Sequence, residues 1–134
     1  MINWNDSMLV GVPQIDKQHQ SLVKAINQLC EACTQGKGRS ELEQTLDFVV
    51  NYTKDHFRDE EKFQVQNGYP GATTHKWMHT QFIMQVGTLV QEFKTVGPSV
   101  TLVGKMNQAL VGWVINHIKT EDKKVGDFIN KKSA

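Results

Sequence analysis

Apolar residues recur along most of the chain at steps of three and four, the period of α-helices with one buried face. Gly36 to Arg39, Asn67 to Gly71 and Gly97 to Pro98, rich in glycine, proline or polar residues, divide this pattern into four long pieces. The first carries Ile15, His19, Leu22, Val23, Ile26 and Leu29 on one stripe, with Pro13 where a first helical turn tolerates it, and predicts a helix from Pro13 to Thr34. In the second, Ser40 followed by Glu43 reads as a capping box. Leu42, Leu46, Val49, Tyr52, Thr53, His56, Glu60 and Phe63 then share a face, predicting a helix from Glu41 to Gln66. The third places His75, Met78, His79, Phe82, Val86, Leu89 and Phe93 on a helix ending near Gly97.

The fourth piece, Ser99 to about Lys119, is rich in β-branched residues and holds Gly104 and Gly112, both unfavourable in helices. Leu102, Val103, Met106, Leu110, Trp113, Val114 and His117 nevertheless keep helical spacing, and a lone strand among helices would have no sheet to join. Lys123 to Lys132 suits a short terminal helix, and Met1 to Val12 an arm packing Ile2, Trp4 and Leu9 onto the rest. Four long helices joined by short loops predict an all-α fold, an up-and-down antiparallel four-helix bundle.

A length of 134 residues suits a single domain spanning 1–134. Lys and Arg number 15 against 14 for Asp and Glu, and the basic residues are scattered, so no electrostatic footprint for nucleic acid is present. The longest apolar run, Ala109 to Ile115, is too short to cross a bilayer. Met1 to Ser7 has neither the basic head nor the apolar segment of a secretion signal, which points to the cytoplasm. Cys30 and Cys33 form a C-x-x-C late in the first helix, without the βαβ context of a redox motif or the second cysteine pair of a zinc site.

All five histidines, His19, His56, His75, His79 and His117, sit on apolar stripes, and every long helix contributes at least one. Burying imidazoles singly costs free energy for each unmatched ring nitrogen, whereas one metal centre satisfies them together. On a helix, residues i and i+4 differ by roughly 40°, so His75 and His79 can grip one ion, and His56 and Glu60 stand in the same relation. Asp59 lies at the poorer i+3 offset and Glu61 points well away, which favours Glu60. After His117, ideal helix geometry prefers Glu121 at i+4 over Asp122, about 140° away at i+5.

His19 preceded by Ile15, Asp16 and Gln18, then His56 with Glu60, His75 with His79, and His117 with Asp122 resemble the hemerythrin family in order and spacing. Trp4 and the stretch Val10 to Gln18 are similar to its bacterial branch, the bacteriohemerythrins, and the resemblance covers essentially the whole chain. It implies that His75, His79 and His117 hold one non-haem iron and His19 and His56 a second. Glu60 and Asp122 would bridge them together with an oxo or hydroxo group, and dioxygen would bind at the two-histidine iron. Asp122 then replaces Glu121 as ligand, so the fourth helix must be distorted or ended between Lys119 and Asp122.

Coordination arithmetic agrees with a small exogenous ligand. For two octahedral metals, five imidazoles, two bridging carboxylates and one bridging oxygen fill eleven of twelve positions. Imidazole and carboxylate suit iron but also zinc, copper or manganese, so iron is what the resemblance implies. The same resemblance gives Leu22, Phe57, Trp113, Val114 and Ile118 as walls of the dioxygen pocket. Asp16 is either an acceptor that orients His19 or a favourable acid in a first helical turn. Gly112 either eases helix packing or softens the helix before the ligand pair.

With every histidine used as a ligand, none remains as a general acid or base, which favours binding over enzymatic turnover. No histidine has Glu three positions earlier, unlike ferritin-like oxidases, and Lys76 stands where a zinc protease would place Glu. The expected function is reversible dioxygen binding for carriage, storage or delivery. The alternatives are oxygen or iron sensing through a protein partner, whose identity is unknown, and a di-iron enzyme reducing dioxygen, peroxide or nitric oxide.

Overall fold

The computed structural model describes residues 2–97 and 99–133. Three uninterrupted helices, α1 (Pro13–Thr34), α2 (Arg39–Gln66) and α3 (Ala72–Val96), are followed by a fourth built in segments. These are α4 (Val100–Asn107), a π-helical turn (Gln108–Gly112), α5 (Trp113–His117), a second π turn (Ile118–Asp122) and α6 (Lys123–Ser133). Successive helices pack as neighbours, α1 on α2, α2 on α3 and α3 on α4, and the described residues contain no strand. The molecule is an all-α up-and-down bundle, as the periodicity predicts.

The boundaries show where local chemistry differs from expectation. α2 starts at Arg39, with Gly38 as N-cap and no side-chain cap, so the Ser40–Glu43 capping box does not form. Arg39 instead extends the helix: its Nε donates to Glu43 Oε1 at 3.2 Å, and its guanidinium also reaches the Lys94 carbonyl oxygen. α3 stops at Gly97, whose φ of 90° is readily adopted by glycine alone. Pro98, the other half of that expected break, lies outside the described residues, as do Met1 and Ala134.

The fourth helix does not end at Lys119. Ser99 caps its start by accepting from the Leu102 amide at 3.1 Å. Backbone angles stay right-handed helical through both π turns, so the C-terminal helix expected from Lys123 is the continuation of the fourth rather than a separate element. Tertiary packing overrides the weak propensity of its β-branched residues: Leu102, Met106, Leu110, Val114 and Ile118 are all buried in the common core with Leu22, Ile26, Leu46, Val49 and Phe82.

The N-terminal arm is held more firmly than its sequence suggests. Ile2 is buried, and its backbone exchanges two hydrogen bonds of 2.8 Å with the Asn27 side chain. Trp4 packs on the core and Leu9 is only half-buried, while Met8, at the end of a short 3-10 turn (Asp6–Met8), and Val10 and Val12 after it carry the remaining burial. The Asp16 carboxylate accepts from the amides of Val10 at 2.7 Å and Gly11 at 3.3 Å, tying the arm to the first turn of α1. The opposite surface is α6, where a Cβ on Gly126 would stand 1.8 Å from the Val10 carbonyl oxygen. No helix among the described residues is long and apolar enough to cross a membrane.

Candidate metal centre

Antiparallel connectivity brings the start of α1, the end of α2, the start of α3 and the middle of the fourth helix together. His19, His56, Glu60, His75, His79, His117 and Asp122 therefore meet, each at most 5% exposed. Their donor atoms form two overlapping groups. Glu60, His75, His79, His117 and Asp122 lie within 4.8 Å of one another, as do His19, His56, Glu60 and Asp122.

Both carboxylates divide their oxygens between the groups. Glu60 Oε1 lies 2.9 Å from His75 Nε2 and 3.8 Å from His79 Nε2, while Oε2 lies 3.1 Å from His56 Nε2 and 3.5 Å from His19 Nε2. Asp122 Oδ1 faces His75 and His117 Nε2 at 3.0 and 3.1 Å, and Oδ2 faces His19 Nε2 at 2.9 Å.

The donor set fits cations better than it fits itself. His117 Nε2 stands 2.9 Å from His75 Nε2 and 3.0 Å from His79 Nε2, so three ring nitrogens converge where protons cannot satisfy all of them. His19 Nε2, Glu60 Oε2 and Asp122 Oδ1 have no aligned hydrogen-bond partner despite these short separations. Lone pairs aimed at a shared point produce that combination of proximity and misalignment, and buried unsatisfied groups of this kind are costly unless an ion takes them up.

Electrostatics divides the cluster. Burial pushes His19 and His75 toward neutrality, but the facing carboxylates of Asp122 and Glu60, which favour a protonated ring, outweigh it and hold both up to about 9. Burial dominates at His79, which is lowered to about 3. Burial and Glu60 oppose ionisation of Asp122, yet His117, His19 and His75 bring it down to about 2. Against the same burial, His19, His56 and His75 keep Glu60 well below the usual carboxylate range.

Neighbouring side chains orient the rings. The Glu61 carboxylate lies 2.9 Å from His79 Nδ1 and, being able only to accept, places the ring proton there and leaves Nε2 free to face the cluster. Gln18 Oε1 does the same for His56 Nδ1 at 2.7 Å, and Gln18 Nε2 is anchored on Asp59 Oδ2 at 3.4 Å. Glu61 thus does not point away, as its helical offset suggested; it reaches across to α3. Asp16 serves the arm rather than His19. Gln64, fully buried, donates to Glu60 Oε1 at 3.3 Å and steadies that carboxylate from one turn further along α2. Its place four residues after Glu60 was the available sequence signal.

The second π turn explains why Asp122 joins the cluster. The Lys123 amide donates to the Ile118 carbonyl, five residues back, and this wider turn swings Asp122 onto the face of His117. Glu121 is left half-buried at the surface, 3.3 Å from Lys124 Nζ. Among the expected pocket residues, Phe57 lies flat on His79, with centroids 3.7 Å apart and planes at 2°, and half-buried Trp113 stacks on His117 at 4.2 Å. Phe82, which sequence reasoning left in the core, backs Trp113 at 4.0 Å. Leu22, Val114 and Ile118 are buried in the core. Cys30 and Cys33 are free thiols near the far end of α1, with Cys30 Sγ 3.4 Å from Asn107 Oδ1.

Five imidazoles and two shared carboxylates, gathered from four antiparallel helices onto one buried point, define a helical-bundle metal-binding protein. Residues 10–129 match the family model of the hemerythrin HHE cation binding domain. The chain is 31% identical over 129 residues to a bacteriohemerythrin of Stenotrophomonas maltophilia, covering 96% of this chain and 82% of that protein. It is 28% identical over 121 residues to a myohemerythrin of Riftia pachyptila, covering 90% and 88%. A crystal structure of wild-type hemerythrin superposes with a TM-score of 0.85 at 26% identity, covering 95% of this chain and 96% of that one. The chain belongs to the hemerythrin family.

Proposed function

We propose that this protein binds dioxygen reversibly at a non-haem di-iron centre, for carriage, storage or delivery rather than turnover, in the cytoplasm. In this reading His75, His79 and His117 hold one iron, His19 and His56 hold the other, and Glu60 and Asp122 bridge. The observation that carries it is the division of both carboxylates between a three-histidine and a two-histidine group, because equal bridging with unequal imidazole supply leaves an open position on one side. Two irons held by these residues with an oxo or hydroxo group would supply the redox electrons and the binding position that dioxygen requires.

The chain's own residues supply confinement. Phe57 and Trp113 cover two imidazoles with flat aromatic faces, and Val114 and Ile118 add apolar bulk, so water reaches the ligands poorly. All five histidines are committed as ligands, which leaves no free imidazole to shuttle protons for turnover. The test is anaerobic reduction followed by cycles of air and vacuum, with metal content and visible absorption followed together. Two irons and one dioxygen taken up and released per chain support the reading; continuous dioxygen consumption with a reductant assigns an enzyme instead. Chelation that lowers the melting temperature checks independently that the cluster holds metal.

A further inference from the structure

Between Trp77 and Gln91 the sequence holds no Asp, Glu, Lys or Arg. This stretch supplies much of the outer face of α3, where Trp77 is 62% and Met84 63% exposed. Elsewhere the helices clothe their outer faces in charge: Lys17, Lys24 and Glu31 on α1, Lys54, Asp55 and Arg58 on α2, and Lys119, Lys123 and Lys124 on the fourth are all exposed. The exposed hydroxyls of Thr80, Thr88 and Thr95 donate to the carbonyls of Lys76, Met84 and Gln91 at 3.0, 3.2 and 2.8 Å. They are spent within the helix, leaving methyl groups as surface beside Trp77 and Met84. Nothing lies within 4 Å of where a Cβ on Gly87 would stand, so the middle of the face permits close approach.

The edges carry opposite charge. At about 100° per residue, Trp77, Met84, Gln91 and Thr95 point within about 20° of one direction, with Glu92 about 80° to one side and Lys76 and Lys94 about 80° to the other. Lys94 leans toward α2, where its Nζ reaches Asp47 Oδ1 at 3.2 Å, and the Glu92 side borders the groove that Gln85 and Thr88 share with Lys105 and Gln108. Glu92 joins none of the ion pairs among the described residues, and Lys94, two positions on, does not share its side of the helix.

We propose that this face packs against α3 of a second copy of the chain in a parallel, twofold-symmetric contact. A twofold axis along the helices sets the Glu92 side of one copy beside the Lys94 side of the other at nearly the same height, giving an ion pair on each flank while Trp77, Met84, Thr88 and Gln91 fill the centre. Antiparallel packing about Met84 would set Lys94 beside the partner's Lys76, so the charge pattern selects the parallel arrangement. One helix face is a small interface, which places the dimer in the micromolar range.

Sedimentation velocity on the metal-loaded chain from about 5 to about 500 μM tests this. The parent associates reversibly to a dimer. Met84→Lys, which sets like charges across the twofold, stays monomeric throughout; Glu92→Lys weakens association at least about tenfold, and adding Lys94→Glu restores it. Unchanged circular dichroism and metal content show that each variant is folded. A parent monomeric over the whole range, a dimer indifferent to Met84→Lys, or a Glu92→Lys variant equal to the parent overturns the proposal. Binding of a monomeric parent to anionic lipid vesicles, lost in Met84→Lys, also overturns it and assigns the face to a membrane.

Discussion

His19 and His75 together are predicted to expel about two protons at pH 7 when the metal-free chain takes up metal. Both are held up to about 9 by Asp122 and Glu60, so at pH 7 each is mostly protonated, and a cation must displace those protons to reach the ring lone pairs. His79, lowered to about 3, and Asp122, at about 2, are already in the forms that metal requires and release none. Each displaced proton contributes about 1.4 kcal/mol per pH unit, so the pair tightens metal affinity about 100-fold from pH 7 to pH 8. Calorimetric titration with zinc, which avoids ferrous oxidation, in buffers of different ionisation enthalpy counts the protons. At pH 9 the contribution of the pair falls to about one proton, and at pH 7 His19→Gln removes about one. A proton count that is the same at pH 7 and pH 9, or that ignores His19→Gln, refutes the reasoning.

The same groups set the stability of the metal-free chain. His19 and His75, raised from 6.5, contribute stability that is complete below 6.5 and is lost as pH rises through about 9. His79 contributes stability above 6.5 that is lost as pH falls toward about 3, and the Asp122 contribution disappears as pH falls through about 2. The metal-free chain therefore melts highest near pH 6.5 and lower at pH 9, whereas bound metal replaces the protons of His19 and His75 and removes the alkaline loss. Calorimetric melting of both forms at the two pH values checks this, and parallel decreases would contradict it.

Asp122→Ala is expected to empty both metal positions, since its two oxygens face both histidine groups, whereas Glu121→Ala changes stability by no more than about 0.5 kcal/mol and leaves metal content intact. Metal analysis and urea unfolding of the two variants separate these outcomes. Gln18→Leu should weaken metal binding about 10- to 100-fold, because His56 loses the acceptor that fixes its ring, and competition with a chelator reads the change. Gly126→Ala drives a methyl into the Val10 carbonyl and should cost about 1–3 kcal/mol in urea unfolding while displacing the N-terminal arm.

The bundle was legible because its determinants are periodic and local. Apolar stripes and glycine breaks located α1 and the end of α3 closely, since Pro13 and Gly97 restrict the backbone where they stand. The start of α2 was not legible, because Arg39 finds partners on Glu43 and the Lys94 carbonyl that a capping pattern in sequence cannot register. The arm was legible in part: Ile2 and Trp4 pack on the core as expected, but Met8 closes a 3-10 turn and Val10 and Val12 follow on the segment after it, so a search for steps of three and four passes over them.

The convergence of His19, His56, Glu60, His75 and His79 follows from spacing plus antiparallel order, but Asp122 does not. Any argument from a regular helix chooses Glu121, and the choice reverses only because Ile118–Asp122 forms a π turn. The sequence around it, Ile118, Lys119, Thr120 and Glu121, contains no glycine or proline to announce an irregularity. The physical source of the turn is therefore tertiary. His117 and Asp122 are both buried, and a regular helix through this segment would keep His117 in the cluster while turning Asp122 about 140° away from it, out of reach of His19, His75 and His117. The wider turn keeps both inside. A further π turn at Gln108–Gly112 precedes Trp113, which lies against Phe82 and, one regular turn before His117 on α5, covers that imidazole. Irregular backbone in this bundle is concentrated on the fourth helix, where Trp113 and His117 sit one regular turn apart but the shared carboxylate stands five residues after the imidazole, a step that the regular helical period cannot place on the same face.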